Sequence, residues 1–152
     1  MRRALLLCTV LILGCARSEP PVSEPPSTMA AISLADVAGI WDGTVTAAGN
    51  DTVLTVVEVT ATAEPTGWSM KVANAKTPTV MTTVPATNVV AEGDSVIVDA
   101  GPFASVLRPG QTVSTHTVYR LQDGRLVGTI QATYPASGET IMLHSVATRR
   151  AQ

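Results

Sequence analysis

From residue 34 onward, apolar and polar residues alternate at a period of two, in short runs broken by turn residues about every ten positions. Successive side chains of a strand point to opposite faces, so such runs predict strands with one buried face. The alternation is sharpest late in the chain. Leu126, Gly128, Ile130, Ala132 and Tyr134 fall on one face, and Arg125, Val127, Thr129, Gln131 and Thr133 on the other. In the run before it, Val113, Thr115, Thr117, Tyr119 and Leu121 oppose Ser114, His116, Val118 and Arg120. Asp123-Gly124 joins the two runs and suits the positive φ angles of a type I′ turn, which predicts a tight hairpin.

The other runs cover residues 40–47, 52–61, 68–73, 79–90, 95–100 and 140–148. Gly49-Asn50-Asp51, Glu64-Pro65-Thr66-Gly67, Gly93-Asp94 and Ser137-Gly138 punctuate them. The 79–90 run reads as one bent strand or two, because Pro85 removes a ladder donor. Roughly seven to nine antiparallel strands follow. The one helical candidate is a turn at Leu34–Val37, started by Ser33. The expected fold is all-β: a single antiparallel up-and-down barrel of about eight strands over residues 34–150.

The first residues have a different texture. Met1-Arg2-Arg3 precedes an apolar run over 4–13, which stops at Gly14-Cys15. That run is shorter than the ~20 residues needed to span a bilayer as a helix, but it fits the core of a secretory signal. Leu11-Ile12-Leu13-Gly14-Cys15 resembles the lipobox of bacterial lipoproteins. The resemblance implies cleavage before Cys15, a diacylglycerol thioether on its sulfur and a lipid-anchored place in the cell envelope. Ala16 follows where an aspartate resembles an inner-membrane retention signal in some bacteria, so the outer membrane is the expected site. Gly14 and Ala16, small and two apart, also fit cleavage after Ala16 and secretion. Residues 15–33 carry Pro20, Pro21, Pro25 and Pro26 among serines and glutamates, a semi-stiff tether.

Loss of residues 1–14 would remove Arg2 and Arg3 and move the formal charge from −2 to −4. With no basic face and no aromatic platform, nucleic-acid binding is excluded. Cys8 leaves with the signal, so the domain has no disulfide and rests on its core alone.

Gly39-Ile40-Trp41 resembles the Gly-x-Trp element of lipocalins and their calycin relatives. The likeness implies that Trp41 closes the barrel floor and that Arg149, or its neighbour Arg150, covers it. Aromatic residues make up only 3% of the chain. With small inward side chains, a barrel of this size is either packed by Val, Ile and Leu or left hollow enough for one small ligand.

Residues 99–111 read as a long loop with its own apolar residues, Phe103, Val106 and Leu107, and with Pro109-Gly110 suited to a type II turn. Two readings follow: in one it lids the barrel mouth, with Phe103 against an apolar ligand and Arg108 meeting a carboxylate or phosphate. Alternatively Phe103 and Leu107 cork the barrel while Arg108 pairs with a neighbouring acid. Tyr119 and Tyr134 complete the candidate ligand-contacting set.

No metal site is expected from His116 and His144, which lack ligand-like spacing. There is no nucleophile elbow, no phosphate-binding glycine loop and no pairing of Asp42, Glu58, Glu92, Asp94 or Asp99 readable as catalytic. The expectation is a non-enzymatic, cofactor-free envelope barrel that binds a small apolar or amphipathic ligand in a cavity of at least a few hundred Å³. The alternative is an interaction module that uses outward valines such as Val53, Val57, Val118 and Val127 to hold an unidentified envelope protein.

Overall fold

The structure, a computed structural model, describes residues 31–151. The expected signal peptide, the acylated Cys15 and the tether up to residue 30 lie outside the described residues. Eight strands follow one short helix: α1 (Leu34–Val37), β1 (Gly39–Ala47), β2 (Val53–Ala61), β3 (Ser69–Asn74), β4 (Thr82–Glu92), β5 (Ser95–Ala104), β6 (Thr112–Gln122), β7 (Arg125–Tyr134) and β8 (Glu139–Arg149). They form a closed antiparallel barrel in which each strand pairs with its sequence neighbours. β1 closes it against β8, in a register that runs from Trp41 opposite Arg149 to Ala47 opposite Leu143. Closure pairs every strand on both sides, although the short β3 meets β4 only over Ser69–Val72 and Thr82–Pro85.

The period of two decides which side chains go inside. Val45, Val57, Val59, Val96, Val98, Tyr119, Leu126, Ile130, Tyr134, Leu143 and Ala147 are buried in one core. Asp123 and Gly124 have φ of 50° and 73°, as a type I′ hairpin requires. From Thr82 onward the 79–90 run is a single strand, β4, and residues 79–81 belong to the turn before it. Pro85 stands opposite Ser69, the next residue, Ala86, donates to Trp68 O at 3.0 Å, and the pairing with β5 shifts register between Ala86 and Asn88.

Three sequence expectations are corrected. β5 continues to Ala104 through a register shift between Ala100 and Phe103, so Phe103 stands on a strand and the connecting loop is residues 105–111. Leu121, expected inside, is 40% exposed because β6 has reached the barrel rim there. Val57, expected outside with Val53, is 6% exposed and belongs to the core: it keeps the inward parity of Thr55 and Val59, whereas the register shift at Thr46 and Val53 leaves Val53 41% exposed.

The two ends of the barrel differ. At one end α1 and the chain entry form a floor, with Ile32 N donating to Gly93 O at 2.8 Å and Trp41 Nε1 donating to Val37 O at 2.8 Å. At the other end lie residues 48–52, 75–81, 105–111 and 135–138, which surround a mouth. Ion pairs stay on the outside: Arg150 bridges Asp42 and Glu58, Lys71 joins Glu58, and Arg120 meets Asp94.

Candidate functional site

Three of the expected ligand-contacting residues meet at the mouth. Phe103 comes from the end of β5, Arg108 from the following loop and Tyr134 from the end of β7. The loop is shaped by Ser105, whose Oγ accepts from the backbone N–H groups of Leu107 and Arg108 at 3.2 and 3.0 Å. Gln111 N donates to Arg108 O at 3.1 Å, and Gly110 has φ 80°, which makes Pro109-Gly110 the centre of a type II turn.

Three latches hold this loop across the opening, each from a different strand. Asn74 Nδ2, at the end of β3, donates to Val106 O at 3.0 Å. The Ser105 and Tyr134 hydroxyls lie 3.3 Å apart. Arg108 makes a bidentate pair with Glu139 at 2.7 and 2.6 Å and rests 4.2 Å from the centroid of the Tyr134 ring. Those hydrogen bonds hold the Glu139 carboxyl below its ordinary range and raise the Arg108 guanidinium above its own. Arg108 is thus engaged by a neighbouring acid rather than left free for a ligand's anion.

Beneath the loop is a cavity of about 80 Å³. Its walls include Val45, Val72, Phe103, Leu107, Ile130 and Tyr134, and no charged residue lines it. A second space of about 50 Å³ lies deeper in the barrel and reaches Tyr119 and Ser145. Val45, Val72, Phe103, Thr115 and Ile130 line both, so the two spaces are neighbours along the barrel. Neither attains the few hundred Å³ expected of a ligand pocket, so that expectation is corrected: inward Val, Ile, Leu, Tyr and Phe side chains fill most of the interior. The larger hollow of about 430 Å³ is outside the barrel, at the chain entry beside Ile32, Arg120 and Leu121.

Tyr119, the fourth candidate, is 2% exposed and sits apart from the mouth, at the deeper space. Burial pushes its phenol up to about 12, and the neighbouring Ser145 hydroxyl offsets this in part. That neighbour falls short of a hydrogen bond, since Ser145 Oγ is buried without any partner.

The architectural residues occupy the floor. The Arg149 guanidinium lies 4.4 Å from the Trp41 ring centroid, and it donates to the carbonyls of Ala38 and, at 2.6 Å, Asp36. Gly39 makes this possible: its φ is +142°, and a Cβ there would sit 3.1 Å from Arg149 Nη1. Arg150 turns outward instead, to Asp42 and Glu58.

Sequence reasoning missed Asn74, Ser105, Glu139 and Ser145. Ser105 carried a local signal, because a serine two and three residues ahead of free N–H groups folds its own turn. Ser145 carried one too, as a hydroxyl between inward Leu143 and Ala147. Asn74 and Glu139 had none, since their partners lie 32 and 31 residues away.

On the outer wall His116 Nδ1 and Asp99 lie 2.6 Å apart, and Asn88 donates to the same carboxylate at 3.0 Å. The Asn88 amide, and behind it His116, hold Asp99 below the ordinary range. This pair stands on a convex, exposed surface. Among the described residues no group of three or more His, Cys, Asp or Glu is placed to hold a metal ion, and no helix is long and apolar enough to cross a membrane. In comparison with known proteins, no family model matches the chain, and no match was found among curated proteins or solved structures.

Proposed function

We propose that the protein is a non-enzymatic, lipid-anchored barrel of the bacterial cell envelope that takes a small, largely apolar molecule through its mouth. The observation that carries this reading is the uncharged, mostly apolar space under residues 105–111, which shares Val45, Val72, Phe103, Thr115 and Ile130 with a deeper one. A well-packed core leaves few voids larger than a water molecule. Two adjoining spaces along one axis, under a loop that packs Leu107 on the core and is tied by polar latches, therefore support a site that admits something small. The interior volume sets the scale at a single ring or a short chain.

The test is binding of toluene to the full chain, read as a saturable rise in melting temperature. A Phe103→Trp variant, which fills the space, is expected to lose that rise while keeping its fold by near-ultraviolet circular dichroism. No saturable effect of toluene on the wild-type protein would count against the reading.

The anchor is Cys15, with residues 16–33 as a spacer, and the outer membrane is its proposed place. A Cys15→Ala variant is expected to leave the membrane fraction. Recovery of that variant still on the membrane would remove the lipid anchor from the proposal, and release of the wild-type chain would favour cleavage after Ala16.

A second reading, an interaction module, is favoured by the outer face. Val127 and Val146 stand directly opposite one another, and Val146, Val90 and Met142 are all more than two-fifths exposed. Val146→Lys and Val127→Lys would abolish association with an envelope partner and leave toluene binding intact.

A further inference from the structure

The deeper space differs in chemistry from the mouth. Thr115, Thr117, Tyr119 and Ser145 all line it, which brings four hydroxyl-bearing side chains around about 50 Å³. Tyr119, Gly128 and Ser145 stand in one row across β6, β7 and β8. A Cβ on Gly128 would lie 2.7 Å from both Cδ1 and Cε1 of Tyr119. The phenol ring therefore crosses β7 in the room that the missing side chain leaves, toward Ser145 on the next strand.

Ser145 is 0% exposed, and its Oγ has no hydrogen-bond partner. Among the described residues it is the one buried side-chain polar atom in that condition. A buried hydroxyl without a partner is costly, so one that persists calls for a group to pair with it. The space beside it exceeds the ~10–15 Å³ that one water needs, so a small polar group fits. An ionised group does not: no charged residue lines either space, and an unpaired charge is not tolerated in such surroundings.

Resting on the reading of the mouth as an apolar site, we infer that the ligand is a small neutral molecule with one hydrogen-bonding end, of the phenol or short-alcohol class, bound polar end first. Its hydroxyl pairs with Ser145 and Tyr119, and its apolar body lies between Ile130 and Phe103 and reaches the mouth. Phe103 lines both spaces, and the proposed ligand takes them as one by displacing its ring. The joined space is then of the order of the ~150 Å³ cavity that takes benzene. A neutral polar end also agrees with Arg108, whose charge is already used by Glu139.

The experiment titrates the full chain in lipid nanodiscs, with empty nanodiscs as the blank, against three probes of one shape: toluene, p-cresol and p-toluate. The readout is the dissociation constant from the saturable melting-temperature shift. p-Cresol is expected to bind about tenfold more tightly than toluene, the worth of one net hydrogen bond, and p-toluate not to bind. Ser145→Ala removes only the orphan hydroxyl, so it is expected to fold, to keep toluene binding and to lose the p-cresol preference. Tyr119→Phe is the independent second variant, with the same expected loss.

Equal binding of toluene and p-cresol by the wild-type chain would overturn the inference and leave the mouth reading standing, with water as the occupant of the deeper space. A p-cresol preference that persists in both variants would overturn it as well, and so would tight binding of p-toluate. Failure of all three probes would overturn the mouth reading and this inference with it.

Discussion

The Arg149 guanidinium covers the indole of Trp41 at 4.4 Å from its centroid, while the Trp41 Nε1 proton goes to Val37 O at 2.8 Å. One strand end thus seals the first strand, the helix and the closure seam of the barrel together. Trp41→Ala is expected to cost about 3–5 kcal/mol, as for a buried aromatic cut to a methyl. Arg149→Ala loses the cation–π contact and two hydrogen bonds to carbonyls, about 1–2 kcal/mol. Urea unfolding midpoints measure both, and Arg149→Lys is expected to recover little, since an ammonium cannot span two carbonyls and a ring.

Two glycines are expected to resist alanine to different degrees. At Gly128 the added Cβ crowds the Tyr119 ring at 2.7 Å and touches Thr117 Cγ2 at 3.4 Å, side chains alone, at an overpacking cost of about 1–3 kcal/mol. At Gly43 it would lie 2.6 Å from both Ala147 Cβ and the Val146 carbonyl oxygen, where backbone of the closing strand must move. Thermal melting of Gly43→Ala is expected to fall well below that of Gly128→Ala. Pairing Gly128→Ala with Tyr119→Leu should recover part of the loss.

The mouth loop should loosen when its charged latch is cut. Glu139→Gln and Arg108→Ala leave the Asn74 and Ser105 contacts in place, so the barrel stays folded while residues 105–111 exchange amide hydrogens several-fold faster. Unchanged exchange in both variants would show that the Arg108–Glu139 pair contributes nothing to closure, as many exposed ion pairs do.

Acid should weaken the fold through the outer pairs. Hydrogen bonds from Arg150 lower the Asp42 carboxyl, those from Lys71 and then Arg150 lower Glu58, and those from Arg108 lower Glu139. A carboxylate lowered in the folded state stabilises it above the unfolded value of about 4 and ceases to do so as pH falls through the folded value. Melting temperature is therefore expected to be flat near neutral pH and to decline below about pH 4. Glu58→Gln should flatten that decline.

At the alkaline end the sign reverses. Tyr119 keeps its proton in the folded barrel up to about 12, whereas an unfolded phenol loses it near 10. Between those values the unfolded chain binds fewer protons, so stability falls as pH rises. A tyrosinate absorbance titration should show a late step near 12, absent in Tyr119→Phe, whose alkaline limb should be flatter.

The strands, the hairpin at Asp123-Gly124 and the helical turn before Gly39 were legible because each depends on neighbours in sequence. Leu126 to Tyr134 alternates without interruption, and strict alternation has one solution on a pleated strand. The end of β5 was not legible. Gly101-Pro102 reads as a stop, yet the ladder with β6 shifts register there and resumes at Phe103 opposite Val113. Val57 and Leu121 misled for different reasons: a register shift between β1 and β2 separates the fates of Val53 and Val57, and the position of the barrel rim is set by where the strands end together.

The sequence by itself determined that residues 34–150 build antiparallel strands, which faces of the late strands go inward, and where the tightest turns fall. These follow from backbone stereochemistry and the period of two, which act between adjacent residues. Only the tertiary structure decided the register in which β1 closes on β8, that Arg149 and not Arg150 lies on Trp41, that Glu139 takes the charge of Arg108, and that Ser145 is left beside Tyr119 without a partner. Each of those depends on distance through space between residues remote in sequence, which closure alone brings to contact range.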